Sequence, residues 1–184
     1  MRLFVSVDLP EALAPAVEAV QDELRAASGL SFTDPTQAHL TLKFLGETDE
    51  RQLDDLAAAL EAAVDDAGVE PFEATLGGLG AFPSEDYIRV VWVGFTAGDD
   101  RLTRLHGAVE ARTVGLGIEP ESHDFTPHVT LARMQHAGGK ELVQRVLSER
   151  DPAVGSMWVD EVRLTASELG PDGPTYSIVA RFPL

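Results

Sequence analysis

The segments His39-Leu40-Thr41-Leu42 and His128-Val129-Thr130-Leu131 repeat each other 89 positions apart in a chain of 184 residues. Each half of the chain carries one copy. Alternate side chains of a β-strand point to one face, so His-x-Thr sets an imidazole beside a hydroxyl there. Leu40 and Leu42, or Val129 and Leu131, turn to the other face and can pack. A similar order of elements surrounds both copies. In the first half, Leu3, Val5 and Val7 alternate with Phe4, Ser6 and Asp8 as in a half-buried strand. Pro10 suits a first helical position, and Leu13, Ala16, Val17, Val20 and Leu24 follow at helical spacing. The first motif lies on a strand near 38–45. Asp49 and Gln52 resemble a helix cap and its partner, ahead of the apolar stripe Leu53, Leu56, Ala57, Leu60 and Val64. Strands are expected near 72–79 and 87–95, with Gly77, Gly78 and Gly80 marking bends or bulges between them.

The second half restates this order. Leu102, Leu105, His106 and Val109 give a helix, and a strand near 125–133 carries the second motif. Leu142, Val143, Val146 and Leu147 give another helix. Strands near 158–166 and 176–182 close the chain, joined by the turn Gly170-Pro171-Asp172-Gly173-Pro174. No long linker separates the halves. The reading is an α+β fold in which residues 1–184 form one bilobal domain by internal duplication, with one His-x-Thr motif per lobe.

The composition is 44% hydrophobic, enough for a core, yet no apolar run approaches the roughly 18 to 20 residues of a membrane span. With no cysteine, disulfides, thiolate metal sites and cysteine nucleophiles are excluded. The first residues read as a strand rather than a signal peptide, so the expected location is cytoplasmic. The net charge of −17 comes from 31 acidic residues against 14 cations, of which only Lys43 and Lys140 are lysines. A specific reading of this acidity is adaptation to a high-salt cytoplasm, where repulsion is screened over about 3 Å at 1 M. The acidity argues against extended, non-specific nucleic-acid binding, which depends on basic stripes. A small phosphate ligand held by a few local cations remains compatible with it.

Two histidines brought together can divide proton transfer between them. With an ordinary pKa near 6.5, one imidazole can take a proton from water while the other protonates a departing oxygen. Thr41 and Thr130 could each donate a hydrogen bond to a non-bridging phosphate oxygen, without a metal. Lys43 continues the alternation of His39 and Thr41, so it is expected on their face as a phosphate-attracting cation. Arg133 is out of phase with His128 and Thr130 and would reach their face only from a strand end or after a bulge. Arg89 fits a surface salt bridge. Phe4, Phe82 and Trp92 fit the core better than base-stacking platforms, His106 falls on an apolar helical stripe, and His123 and His136 lie in polar, loop-like contexts. A metal set of His39, His123, Asp124 and His128 is conceivable for zinc or manganese, but no tight ligand spacing is present. There is also no Gly-x-x-x-x-Gly-Lys loop for a nucleoside triphosphate.

The chain resembles the 2H phosphoesterases, named for paired His-x-Thr/Ser motifs, and within them the RNA 2′,3′-cyclic phosphodiesterases, also called 2′-5′ RNA ligases. The resemblance is carried by Arg2-Leu3-Phe4-Val5-Ser6-Val7-Asp8-Leu9-Pro10, His39-Leu40-Thr41-Leu42-Lys43-Phe44-Leu45-Gly46, Arg89-Val90-Val91-Trp92-Val93-Gly94 and Pro127-His128-Val129-Thr130-Leu131-Ala132-Arg133, with the tail through Val162, Ser167, Leu169 and Tyr176. It implies two antiparallel sheets with outer helices, related by a pseudo-twofold, around a central V-shaped cleft. It implies metal-independent, cofactor-free opening of a 2′,3′-cyclic phosphate at an RNA or nucleotide 3′ end, leaving a 2′-phosphate. By analogy His39 is the acid on the leaving 3′ oxygen and His128 the base on water, although the twin motifs do not distinguish these roles. Two alternatives stay open: the reverse reaction, 2′-5′ ligation, and a catalytically silent nucleotide- or RNA-end-binding module. The expected oligomeric state is monomeric.

Overall fold

A computed structural model describes all residues 1–184. The elements in chain order are β1 (Arg2–Asp8), α1 (Ala14–Asp22), β2 (Leu30–Phe32), β3 (His39–Glu47), α2 (Leu53–Ala67), β4 (Phe72–Pro83), β5 (Ile88–Ala97), α3 (Asp99–Gly115), β6 (His128–Met134), α4 (Lys140–Glu149), β7 (Ala153–Val159), β8 (Glu161–Gly170) and β9 (Gly173–Pro183). The strands pair in the order β7-β4-β5-β6-β3-β1-β8-β9, all antiparallel, and β2 adds to β6.

The seam at the centre is narrow. β3 and β6 meet in register only at Leu40 and Val129, and beyond that point they separate. β2 occupies the opened wedge, pairing Leu30–Phe32 with the far end of β6. Two four-stranded lobes therefore diverge from one point, which gives the V.

The lobes are not the two halves of the chain. The first half runs β1-α1-β3-α2-β4 and the second β5-α3-β6-α4 before β7 and β8. Strands cross over between the halves: β4 pairs with β5, and β8, with β9 at its outer edge, pairs with β1. Helices cross as well, since α1 packs behind β6 and β7 while α3 packs behind β3. The single strand expected over 158–166 is two strands interrupted at Asp160, whose carbonyl accepts from the Leu184 amide at 2.9 Å. β7 closes one lobe and β8 enters the other, a change of sheet that leaves no mark in the apolar pattern. The three-residue β2 is too short to show a period.

Helix formation follows ordinary rules. Leu56, Leu60, Ala63, Val64 and Ala67 bury one stripe of α2, which packs against α3. Asp54 and Asp55 complement the α2 dipole at its start, and Gly68 ends it at φ 57°, a left-handed turn that favours glycine. The buried apolar residues of sheet and helices form one cluster of 39 rather than one per lobe, so the lobes share a core. Full burial of each leucine there, Leu60 or Leu105 for example, contributes about 2–3 kcal/mol.

Candidate active site

The Leu40–Val129 pair decides the layout. Both side chains are buried, so their neighbours turn to the cleft: His39 opposite Thr130, and Thr41 opposite His128. All four side chains are half-buried and in reach of the cleft. Diagonal positions in such a ladder lie roughly 7–8 Å apart, which leaves room for a phosphate between two imidazoles.

Each imidazole is held by the same local device. His39 Nδ1 donates to the Gln37 carbonyl at 2.9 Å, and His128 Nδ1 donates to the Thr126 carbonyl at 2.6 Å. A carbonyl can only accept, so both protons sit on Nδ1 and both Nε2 atoms are left for chemistry. Aromatic rings brace the imidazoles from behind. Phe4 stacks on His39 at 4.9 Å and Tyr176 meets its edge at 5.2 Å. Phe82 and Trp92 contact His128 at 4.8 and 5.9 Å. Phe4 is buried and Phe82 and Trp92 are half-buried, and all three pack against the imidazoles. Gly80 is not a bend: a Cβ there would run into the Trp92 ring, so glycine makes room for the indole against β4.

Both motif strands carry a bulge immediately after the threonine. Opposite β1, Ser6 faces Thr41 and Val5 faces Lys43, so Leu42 is extra. Opposite β5, Trp92 faces Thr130 and Val91 faces Ala132, so Leu131 is extra. One added residue inverts the alternation beyond it. Arg133 therefore returns to the cleft face, where it is exposed and where its charge acts on both imidazoles. Lys43 goes the other way, which corrects the expectation of a phosphate-attracting cation. Its side chain is 1% exposed, and its ammonium donates to Glu110 of α3 and, at 2.9 Å, to the Glu119 carbonyl. The carbonyls of the extra residues are claimed from behind. Leu42 O accepts from His106 Nδ1 at 2.8 Å, and Leu131 O accepts from Gln21 Nε2 at 3.0 Å. The crossed helices α3 and α1 supply these two side chains, so each bulge is held by the opposite half of the chain.

The two histidines have unlike neighbours. Cross-strand from His39 stands Asp8, whose carboxylate accepts from Ser6 Oγ at 2.8 Å and Arg163 Nη1 at 2.7 Å. Cross-strand from His128 stands Gly94, with no side chain. Burial holds both imidazoles below the ordinary value of 6.5. The carboxylate of Asp8 opposes that shift at His39, whereas the charges of Arg133 and His39 add to it at His128. Burial likewise raises the Tyr176 phenol, against the charges of Arg133 and Arg2.

Other candidates fall outside the cleft. His106 stacks on Phe125 at 4.1 Å, a packed helical histidine as its stripe predicts. His123 and His136 are exposed, and His136 caps a short turn by accepting from the Gly138 amide at 3.1 Å. Arg89 makes no salt bridge and lies over the Tyr87 ring, 5.3 Å from its centre. The residues of the conceivable metal set do not come together, because no group of three or more His, Asp or Glu side chains is placed to share an ion. Asp8, Tyr176 and Gln21 belong to the site or its support; no chemical motif singles them out, although Asp8 and Tyr176 fall in stretches that carry the family resemblance.

A family model for the 2′-5′ RNA ligase superfamily matches residues 9–171, and the chain belongs to that superfamily. Among its relatives, the RNA 2′,3′-cyclic phosphodiesterase of Methanothermobacter thermautotrophicus is 37% identical over all of this chain and 99% of its own length. The protein of that name from Archaeoglobus fulgidus is 35% identical over 96% of each chain. A crystal structure of a Thermus thermophilus protein superposes with a TM-score of 0.81 at 34% identity, covering 100% of this chain and 98% of that one. Escherichia coli LigT, crystallised with 3′-AMP, shares the fold at a TM-score of 0.76 and 24% identity, over 100% of this chain and 97% of its own.

Proposed function

We propose that the chain is a metal-independent RNA 2′,3′-cyclic phosphodiesterase that opens a 2′,3′-cyclic end to a 2′-phosphate. The observation that carries the reading is the pair of imidazoles, each fixed by a backbone carbonyl, with both Nε2 atoms free toward one cleft between two threonine hydroxyls. The names of the relatives support the substrate class. His128 Nε2 takes a proton from water as the water oxygen bonds to phosphorus. The bond from phosphorus to O3′ breaks, and the proton on His39 Nε2 passes to O3′. The products are a 2′-phosphate monoester and a free 3′-hydroxyl. Asp8 favours the protonated form of His39, and no carboxylate does so for His128, which supports this division of roles. Thr41, Thr130 and Arg133 bind the non-bridging oxygens; Lys43 has no part in this.

Incubation with a short RNA bearing a 2′,3′-cyclic end, in EDTA, tests the reading: the cyclic end disappears if it is right and survives if it is wrong. Thr41→Ala or Thr130→Ala costs roughly 10- to 1000-fold in kcat, comparable to losing one oxyanion donor, measured as initial rates on the same substrate. The pH profile of kcat/KM reports the free enzyme. Because burial lowers both imidazoles, the bell lies on the acid side of 6.5, with two apparent values that belong to the pair. Activity rises as the base loses its proton and falls as the acid loses its own. Asp8→Asn removes the charge that favours the His39 imidazolium, so the falling limb moves to lower pH while the rising limb stays. No helix is long and apolar enough to cross a membrane. A monomer in a high-salt cytoplasm is the setting that the acidic composition supports.

A further inference from the structure

Beside His39, the side chains of Asp8, Arg163, Glu161 and Arg181 form a row of alternating charge. Val162 and Leu164 of β8 are buried, so Glu161 and Arg163 turn to the other face of the strand. That is the cleft face, because Ser6 lies across from Thr41 on one side and from Arg163 on the other. Arg163 bridges two carboxylates: Nη1 donates to Asp8 at 2.7 Å and Nε donates to Glu161 at 2.6 Å. Arg181, across from Arg163 on β9, donates from Nη1 to the same Glu161 oxygen at 2.7 Å. Asp8 is thus held at both oxygens, Oδ2 by Arg163 and Oδ1 by Ser6. Ser6 is itself buried and accepts from the Thr165 hydroxyl at 3.2 Å, since its own proton goes to Asp8.

This row bears on His39. Asp8 and His39 are cross-strand partners on one face, a spacing of about 5 Å between Cβ atoms. A free carboxylate at that distance competes with the Gln37 carbonyl for the Nδ1 proton, and the winner sets the direction of the ring. Drawn back to Arg163, the carboxylate acts on the ring through space only. The other titratable or charged groups around His39 are Tyr176 of β9, and Arg133 and His128 of β6. We propose that Arg163 is a positioning residue for His39: it ties the Asp8 carboxylate back to β8, so that Asp8 neither takes the Nδ1 proton from the Gln37 carbonyl nor acts on the ring with its full charge. Glu161 and Arg181 keep the guanidinium in place. Arg163 thus offsets Asp8, and each step along the row acts on His39 with the opposite sign to the one before. The catalytic part of this rests on the reading of His39 as the acid.

The test is an NMR titration of the His39 imidazole in the free protein, its resonance assigned by its loss in His39→Ala. Arg163→Gln is expected to raise the His39 midpoint by roughly 0.5–1 pH unit, the effect of an opposite charge less its screening at a half-exposed site. Arg163→Lys keeps the charge and returns the midpoint close to wild type. Asp8→Asn lowers it, and Glu161→Gln lowers it by less, because Arg163 is then left to Asp8 alone. Loss of a merely structural contact would not produce shifts of alternating sign. A midpoint that Arg163→Gln leaves in place or lowers overturns the proposal. Should Arg163→Gln not fold, Glu161→Gln decides, and a midpoint that it leaves in place or raises overturns the proposal. The falling limb of kcat/KM follows the same order, with KM unchanged. A raised KM in Arg163→Gln with an unmoved midpoint makes Arg163 a substrate contact and rejects the positioning role. Midpoints that shift in the stated order without movement of that limb uphold the positioning role and reject His39 as the acid.

Discussion

Replacement of His39 or His128 by alanine is expected to abolish opening of the cyclic end in a protein that stays folded. Each imidazole carries one proton transfer, and a positioned acid or base is worth about 10²–10⁴-fold. The two transfers belong to one displacement, so the double variant falls little below either single one. Both rings are only half-buried and neither carries a strand ladder bond through its side chain, so the fold does not depend on them. Near-normal circular dichroism together with lost turnover is the expected result. Turnover close to wild type in either variant would remove the two-histidine mechanism.

The second large effect concerns stability. Glu110→Gln leaves the Lys43 ammonium enclosed and without its counter-charge, at a side chain only 1% exposed. Removing one partner of a buried pair costs about 3–5 kcal/mol. In a chain of this length that lowers Tm by roughly 6–20 °C, readable by calorimetry. Lys43→Met costs less, about 1–3 kcal/mol, because the Glu110 side chain is 22% exposed and keeps the Glu121 amide as a donor at 2.8 Å. Burial would raise the Glu110 carboxyl, but the hydrogen bond from Lys43, that of the Glu121 amide and the charges of Lys43 and His106 outweigh it and hold it low. Equal, small losses in both variants would contradict the picture of an enclosed ion pair. Hydrolysis at a temperature where both variants are folded is expected to stay near wild type, since Lys43 faces away from the cleft.

The difference between Lys43 and Arg133 shows where sequence reasoning stops. Strict alternation puts Lys43 with His39 and sends Arg133 away from His128. A bulge after each threonine reverses both placements. Nothing in Thr41-Leu42-Lys43 or Thr130-Leu131-Ala132 marks an extra residue, because leucine suits either face. The bulges are specified by distant groups, His106 and Gln21, that take the freed carbonyls across 64 and 110 residues of chain. The motif itself was legible because period-two alternation is local: His39, Thr41, His128 and Thr130 do share one cleft. The order of elements was legible for the same reason. The exchange of β4 and β8 between the lobes was not, since strand partners lie far apart in sequence. The inequality of the twin motifs was hidden as well. It resides in the neighbours Asp8 and Gly94, which only the register of β1 and β5 identifies.

The most direct measurement is the identity of the phosphate product formed from an RNA with a 2′,3′-cyclic end in EDTA, by wild type, His39→Ala and His128→Ala. The account predicts a 2′-phosphate from wild type and none from either variant. A 3′-phosphate, turnover by a histidine variant, or activity that returns only with added metal would contradict it.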